Sequence, residues 1–407
     1  MQNHTTMENE IPVELNNECT PSEQFVFNIC RKSFLSLWSH LRPKGKKEKE
    51  LCDILVVCDP SIIIISVKNC KMTDSGDFAL DWERWQRKAI YESIAQIKGA
   101  ERWIESNPNV IRNDGKIGLS FPDIKKRKIY RIVIAFGGIG IASFKYPNPD
   151  QKFFNVFDEK SLTKIMNELD TITDLIQYLE TKETFYKRGV DTIFHGGEED
   201  LLGFYLLNNN TLPEKADLIV LIDDLWSGYV NEKKRNGIDK KIKQSRFWDG
   251  LIEDFSKHYF KGDLEVGNSL SEVENVLRIM AKEDRYARFS LSEGMIDFVE
   301  KVNQKNVRGS NARVLFSPSG IGYIFLICAR TITREERRAE LLGRCYVMRD
   351  IKKEITTFIG IATESFEPSG GNSMDAVLFL KPDWTDIDHN RAIKLRRELG
   401  YFKNLDF

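Results

Sequence analysis

The residues best suited to do chemistry lie within residues 50–68. Two apolar runs rich in Val and Ile, residues 51–58 and 62–67, are separated by Asp59-Pro60. Such runs, broken by a two-residue turn signal, predict a β-hairpin. If Cys58 and Ser61 flank the turn, Asp53 stands directly opposite Ser66. Side chains alternate faces along a strand, so Ser66 and Lys68 share a face. Opposed Cβ atoms lie about 5 Å apart, and diagonal neighbours are within reach. Asp53, Ser66 and Lys68 therefore converge on one patch, which a register slip of one residue would disperse. The pairing of carboxylate and lysine suits phosphodiester hydrolysis. A carboxylate holds a hard divalent cation through oxygen, the cation polarises a phosphoryl oxygen and acidifies bound water, and a lysine stabilises developing negative charge.

Elements must hold that hairpin in place. Thr20-Pro21-Ser22-Glu23 is a helix-start signal, with Pro early and an acid in the first turn. It predicts a helix over 22–38 with Phe25, Val26 and Ile29 on its buried face. Arg42 to Lys47 then forms a basic loop that enters the hairpin. Residues 74–80 read as a polar loop. A long amphipathic helix follows over 82–105, with Trp85, Ala89, Ile97, Ala100 and Ile104 among its apolar positions. A strand over 130–136 ends in Gly137-Gly138, and a further helix is expected over 162–179.

The order of helix, Asp-bearing strand, turn, strand ending in x-Lys, then helix resembles the PD-(D/E)xK superfamily of restriction-endonuclease-like nucleases, over about residues 20–145. The resemblance implies a central mixed sheet flanked by helices and a metal-dependent nuclease. It implies Asp53 as the central metal ligand, Lys68 as the catalytic lysine and Glu23, on the first helix, as a further metal-site acid. Some exonuclease-like members carry a glutamine on the helix after the hairpin, a role that fits Gln96. One departure matters: the family expects an acid two residues before the lysine, and this chain has Ser66. A hydroxyl is a far poorer Mg²⁺ ligand than a carboxylate, so Glu23, or another acid such as Glu92, takes over that place, or cleavage is lost. The cofactor implied is Mg²⁺ or Mn²⁺, and the substrate DNA first and RNA second.

Bland readings compete at each position. The hairpin could be an ordinary strand pair, Glu23 a helix-dipole acid, Gln96 a surface residue and Ser66 merely small. The clusters Arg42 to Lys49, Lys125 to Lys128, Lys233 to Arg235 and Arg391 to Arg397 are more often solvated faces than phosphate clamps. The acids Glu198, Glu199, Asp200, Asp223, Asp224, Glu364 and Asp375 read as ordinary strand-end and loop acids, and His195 as a loop residue.

The chain has 407 residues, with 60 Lys and Arg against 61 Asp and Glu, so a uniformly basic nucleic-acid coat is excluded. Seven cysteines without a CxxC pair predict reduced thiols rather than a disulfide framework or a zinc site. Cys52 and Cys58 read as core. No Walker-type loop is present, and Gly137-Gly138-Ile139-Gly140 lacks dinucleotide-binding spacing. A polar, acidic N-terminus without an apolar core and the lack of a long apolar run predict a cytoplasmic protein with no membrane partner. The expected fold is mixed α and β. It divides into a flexible arm (1–19), a nuclease-like domain (20–195, ending near His195-Gly196-Gly197), a largely helical middle (196–312) and a C-terminal α+β region of pattern ββαββα (313–407). In the middle, a strand is expected over 218–222 and helices over 247–259 and 271–303. The function expected is that of a DNA endonuclease resembling the stand-alone nucleases of prokaryotic genome defence. The alternative is a catalytically inactive relative that binds nucleic acid or a partner protein, or pairs with its own copy.

Overall fold

A computed structural model describes residues 19–138, 152–194, 196–215, 218–221, 224–261, 269–303, 309–367 and 373–403. The chain is mixed α and β, and it forms two compact units: Met1–Ile238 with Ile252–Glu274, and Asp239–Leu251 with Asn275–Phe407. Among the described residues no helix is long and apolar enough to cross a membrane.

The first unit opens with α1 (Pro21–Phe34), β1 (Ser39–Leu41), β2 (Ile54–Cys58) and β3 (Ser61–Asn69). Then come α2 (Phe78–Gln86), α3 (Glu92–Glu105), β4 (Asn109–Ile111), β5 (Ile117–Ser120), β6 (Lys128–Phe136) and β7 (Asn155–Phe157). It continues through α4 (Glu159–Glu168), α5 (Ile172–Lys187), β8 (Asp191–Phe194), α6 (Glu198–Leu207), β9 (Leu218–Leu221), α7 (Leu225–Arg235), α8 (Ile238–Lys261, whose first half belongs to the second unit) and α9 (Leu270–Ala281, whose residues from Asn275 on belong to the second unit). Its principal sheet has the order β1-β2-β3-β6-β7. The pairs β1/β2 and β2/β3 are antiparallel, and β3/β6 and β6/β7 are parallel. β3 is thus the central strand, which explains its uninterrupted Ile62 to Ile65: a strand covered on both faces has no polar side to alternate with. Those four residues are at most 2% exposed. Parity identifies the two covers. Ser66 hydrogen-bonds Gln96 of α3, whereas Asn69 hydrogen-bonds Ser22 of α1, so α3 and α1 lie on opposite faces of β3.

Several expected elements shift. α1 ends at Phe34 because Leu35 takes a positive φ of 68°, and the sequence read as its last turn instead supplies β1. Its buried stripe is Val26, Phe27, Cys30 and Phe34, while Phe25 is 43% exposed. The long helix begins earlier, at Phe78 with Asp77 as its cap, and passes through a widened turn at Arg87–Tyr91 between α2 and α3. The helix expected over 162–179 is two, because Thr171 caps α5 by accepting from Asp174 N. His195, read as a boundary marker, lies outside the described residues.

The second unit adds α10 (Arg285–Asn303), β10 (Ser310–Phe316), β11 (Ile321–Cys328), α11 (Arg334–Ile351), β12 (Thr357–Glu364), β13 (Met374–Leu380) and α12 (Asp386–Leu399). The expected ββαββα order is present as one sheet, β10-β11-β12-β13, with two antiparallel hairpins joined through the parallel pair β11/β12. Alternation on β11 feeds two cores. Ile324, Leu326 and Cys328 pack with Leu341, Cys345 and Met348 of α11, while Tyr323 and Phe325 meet the Trp248 ring edge-on at 5.1 and 6.4 Å.

Candidate active site

The hairpin has the register its turn dictates. Cys58 pairs with Ser61 and Ile54 with Ile65, so Asp53, one residue before β2, falls opposite Ser66. On the other side, Leu41 pairs with Ile54, and the next residue, Arg42, donates its backbone N–H to Asp53 O at 2.8 Å. Arg42, Asp53 and Ser66 therefore form one transverse row across three strands.

Asp53 is 3% exposed. A carboxylate so placed requires partners, and it has them. Oδ2 accepts the Val67 N–H at 2.5 Å, and Oδ1 faces Gln96 Nε2 at 3.5 Å. Ser66, fully buried, donates its hydroxyl to Gln96 Oε1 at 2.6 Å. Gln96 thus ties the two strands of the hairpin to α3, and the α3 face of the sheet is the one that carries the patch. Lys68 lies on the face of Ser66, two residues further along, half-buried, with no hydrogen bond or ion pair among the described residues.

Glu50 was not singled out by sequence, yet it completes the group. The 43–51 segment turns back on itself: Leu51 N bonds Pro43 O at 2.8 Å, and Lys44 bridges Glu50. This brings the Glu50 carboxyl into hydrogen-bonding contact with Asp53. Burial, that hydrogen bond and the Asp53 charge push Glu50 up to about 7, against the pull of Arg42. The Arg42 guanidinium stands 2.5 Å from Glu50 and 3.6 Å from Glu23. Arg42 also takes a positive φ of 45°, a conformation disfavoured for a residue with a Cβ.

Glu23 has two structural duties. Its Oε2 accepts the Thr20 N–H at 3.2 Å in a capping box, and it faces Arg42. It therefore faces the acidic group across the Arg42 guanidinium, and its charge adds to the upward push on Glu50. Glu92 is exposed, one turn before Gln96, and makes no hydrogen bond or ion pair among the described residues.

Among the described residues no set of three or more His, Cys, Asp or Glu side chains forms a ready metal cage. The donor set nevertheless fits Mg²⁺ or Mn²⁺. Mg²⁺ is commonly held by one or two carboxylates with water and substrate phosphate completing its shell, and Glu50 and Asp53 are two carboxylates in contact. A carboxyl raised by burial and a neighbouring acid, as Glu50 is, is also what a divalent cation relieves, because it displaces the proton.

Other candidates are absorbed by structure. Glu198 pairs with Lys182 at 2.6 Å and accepts from Tyr178, all buried. Glu199 pairs with Lys160 and Lys164, and Asp200 accepts the Trp226 N–H. Glu364 and Asp375 both pair with buried Arg337. Of the basic clusters, Lys233 is spent on Glu168, Arg127 on backbone carbonyls, Lys128 on Glu180 and Arg396 on Phe402 O. Cys52 and Cys58 are buried in the core, and the seven cysteines are free thiols. Asp223 lies outside the described residues. Comparison with protein families, with characterised proteins and with solved structures finds no match.

Proposed function

We propose that the first unit is a metal-dependent nuclease of the PD-(D/E)xK kind, cleaving phosphodiester bonds in DNA. The observation that carries this reading is the meeting of Asp53 with Glu50, beside Ser66 and Lys68 at the end of the central strand. Glu50 supplies the carboxylate that Ser66 cannot, and this favours an active site over a binding module. Asp53 and Glu50 would hold Mg²⁺ or Mn²⁺, which when bound polarises the phosphoryl group and acidifies water.

The chain's own residues do the rest. The Val67 N–H and Gln96 fix the Asp53 carboxylate, so it need not reorganise when substrate arrives. Lys68, free of any protein partner among the described residues, is available to a phosphate oxygen or to the attacking water. Arg42 and the exposed lysines of 44–49 lie beside the group and suit the flanking phosphates, contacts that give affinity without sequence information. The test is plasmid cleavage by the full chain with and without Mg²⁺ or Mn²⁺, beside Asp53→Ala, Glu50→Ala, Lys68→Ala and Glu23→Ala. Metal-dependent nicking that is lost in the Asp53 and Lys68 variants supports the reading. Activity that survives Lys68→Ala sinks it.

A further inference from the structure

The strand that carries Lys68 leads into an aromatic ladder that the proposed chemistry leaves unused. Trp85 of α2 is 3% exposed and donates its Nε1–H to Cys70 O at 2.8 Å, two residues beyond Lys68. Cys70 is itself held to the neighbouring strand through its N–H to Phe136 O at 3.3 Å. Trp82 stacks on Trp85 with ring centroids 5.2 Å apart and planes 15° off parallel. Phe78 stacks on Trp82 in turn, at 6.4 Å and 7°. The ladder runs from buried Trp85 through half-buried Trp82 to Phe78, which is 71% exposed.

Its mounting is rigid. Asp81, 3% exposed, gathers the loop between β3 and α2: it accepts from Thr73 Oγ1, from Ser75 N at 2.6 Å and from Ser75 Oγ at 2.9 Å. Asp77 caps the first turn of α2 by accepting the Leu80 N–H. The three rings are graded from buried to exposed and leave the outer face of Phe78 open to a further flat group. The rings are near parallel, so the next member that would extend the stack is another planar π system. Lys88, three positions after Trp85 on the same helical stretch, is exposed and offers a cation to an anionic backbone on the side of the rings, while Arg84 pairs with Asp81.

We propose that Phe78 and Trp82 are a stacking platform for an unpaired nucleobase, so that the substrate of the Asp53–Lys68 site is single-stranded or locally unwound nucleic acid. A base within a duplex has both faces covered by its neighbours, whereas an unpaired base offers one to the ring, whatever its identity. This inference rests on the nuclease reading and names its substrate class.

The test uses the full chain without divalent metal, titrated with a fluorescent oligothymidylate and with a duplex of equal length. Wild type is expected to bind the single strand, with quenching of tryptophan emission. Phe78→Ala and Phe78→Leu are expected to weaken that binding by about tenfold, the usual scale for losing one stacked base, while Phe78→Trp restores it. Duplex affinity changes little in all three. Because Phe78 is exposed, the variants keep the fold, which circular dichroism verifies. If Phe78→Leu binds like wild type, the surface is merely apolar and the proposal fails. It fails equally if single-strand binding is absent or if duplex binding falls in parallel. Cleavage with Mg²⁺ in the Asp53→Ala and Lys68→Ala variants separates the two ideas. Metal-dependent cleavage that needs both residues, without a Phe78 effect, overturns the platform and leaves the nuclease standing; loss of both overturns both.

Discussion

Glu50 and Asp53, three residues apart, meet carboxyl to carboxyl, and Glu50 is pushed from an ordinary value of 4.5 up to about 7. The direction has a consequence for stability. A carboxyl raised in the folded state binds its proton more tightly there than in the unfolded chain. The metal-free protein therefore loses stability as pH rises from about 4.5 through about 7. A divalent cation reverses this, because it competes for the ionised pair. Mg²⁺ is expected to raise the melting temperature clearly at pH 8 and barely at pH 5.5, its affinity falling about tenfold per pH unit below 7. Glu50→Gln should flatten both responses. An equal Mg²⁺ effect at the two pH values would count against the carboxylate pair as its site.

Lys68 is held by no ion pair among the described residues, although it sits near the end of the central strand of its sheet. A residue that contributes only to folding would be missed in stability; one that meets a phosphate in the transition state is missed in rate. Lys68→Ala is expected to cut cleavage by about 10²–10³-fold, with the melting temperature within a degree or two of wild type. DNA affinity measured without metal should change little. A variant that melts early and binds poorly would place Lys68 in the fold rather than in the chemistry.

Gln96 joins Ser66 and Asp53 through one side-chain amide. Removing it leaves the buried Ser66 hydroxyl without its acceptor and the Asp53 carboxylate with one fewer donor. Gln96→Ala is expected to lower stability by about 1–3 kcal/mol, the scale of an unsatisfied buried polar group. Denaturant unfolding measures this. Gln96→Glu keeps the shape but sets a third carboxyl beside Asp53 and Glu50, so its loss of activity should be greatest without excess metal and recover as Mg²⁺ is raised. No difference between the two variants across a Mg²⁺ titration would remove Gln96 from the site.

The hairpin was legible because two constraints agreed. The turn at Asp59-Pro60 set the register, and a residue pair opposed across that register must share a face, so Asp53 and Ser66 followed from the sequence alone. Gln96 was picked out only by the resemblance to nucleases that carry a glutamine on the helix after the hairpin, because α3 bears several other polar and charged residues. Glu50 was not, because it lies outside any strand, and its position depends on the return of the 43–51 segment, which pairs Lys44 with Glu50. That return depends in turn on β1, three residues long and hidden behind Leu37 and Trp38, whose spacing continues the helical pattern of α1. The residue that stops the helix, Leu35 at a positive φ of 68°, carries no compositional signal, since glycine is the usual choice there. In the second unit the ββαββα order was readable from alternation, whereas the parallel join of its two hairpins is a tertiary choice that no local pattern encodes.

The second unit offers a test of stability that is independent of any site. Asp249 is 6% exposed and accepts from Arg285 at 2.9 Å, from Arg246 at 3.1 Å and from Arg288, whose guanidinium is 1% exposed. Burial alone would raise this carboxyl, but the three arginines hold it below its ordinary 3.8. A depressed acid contributes stability that is present above its unfolded value and lost as pH falls through its folded one. Substitution does more damage than acid, because it takes the carboxylate away from the buried Arg288 guanidinium. Asp249→Asn is expected to destabilise the second unit by about 3–5 kcal/mol at pH 7, with a smaller difference from wild type below pH 3. Differential scanning calorimetry against pH reads both. A loss under 1 kcal/mol at pH 7 would mean that water or a neighbouring carbonyl compensates Arg288, and that the cluster is not what holds α8 to α10.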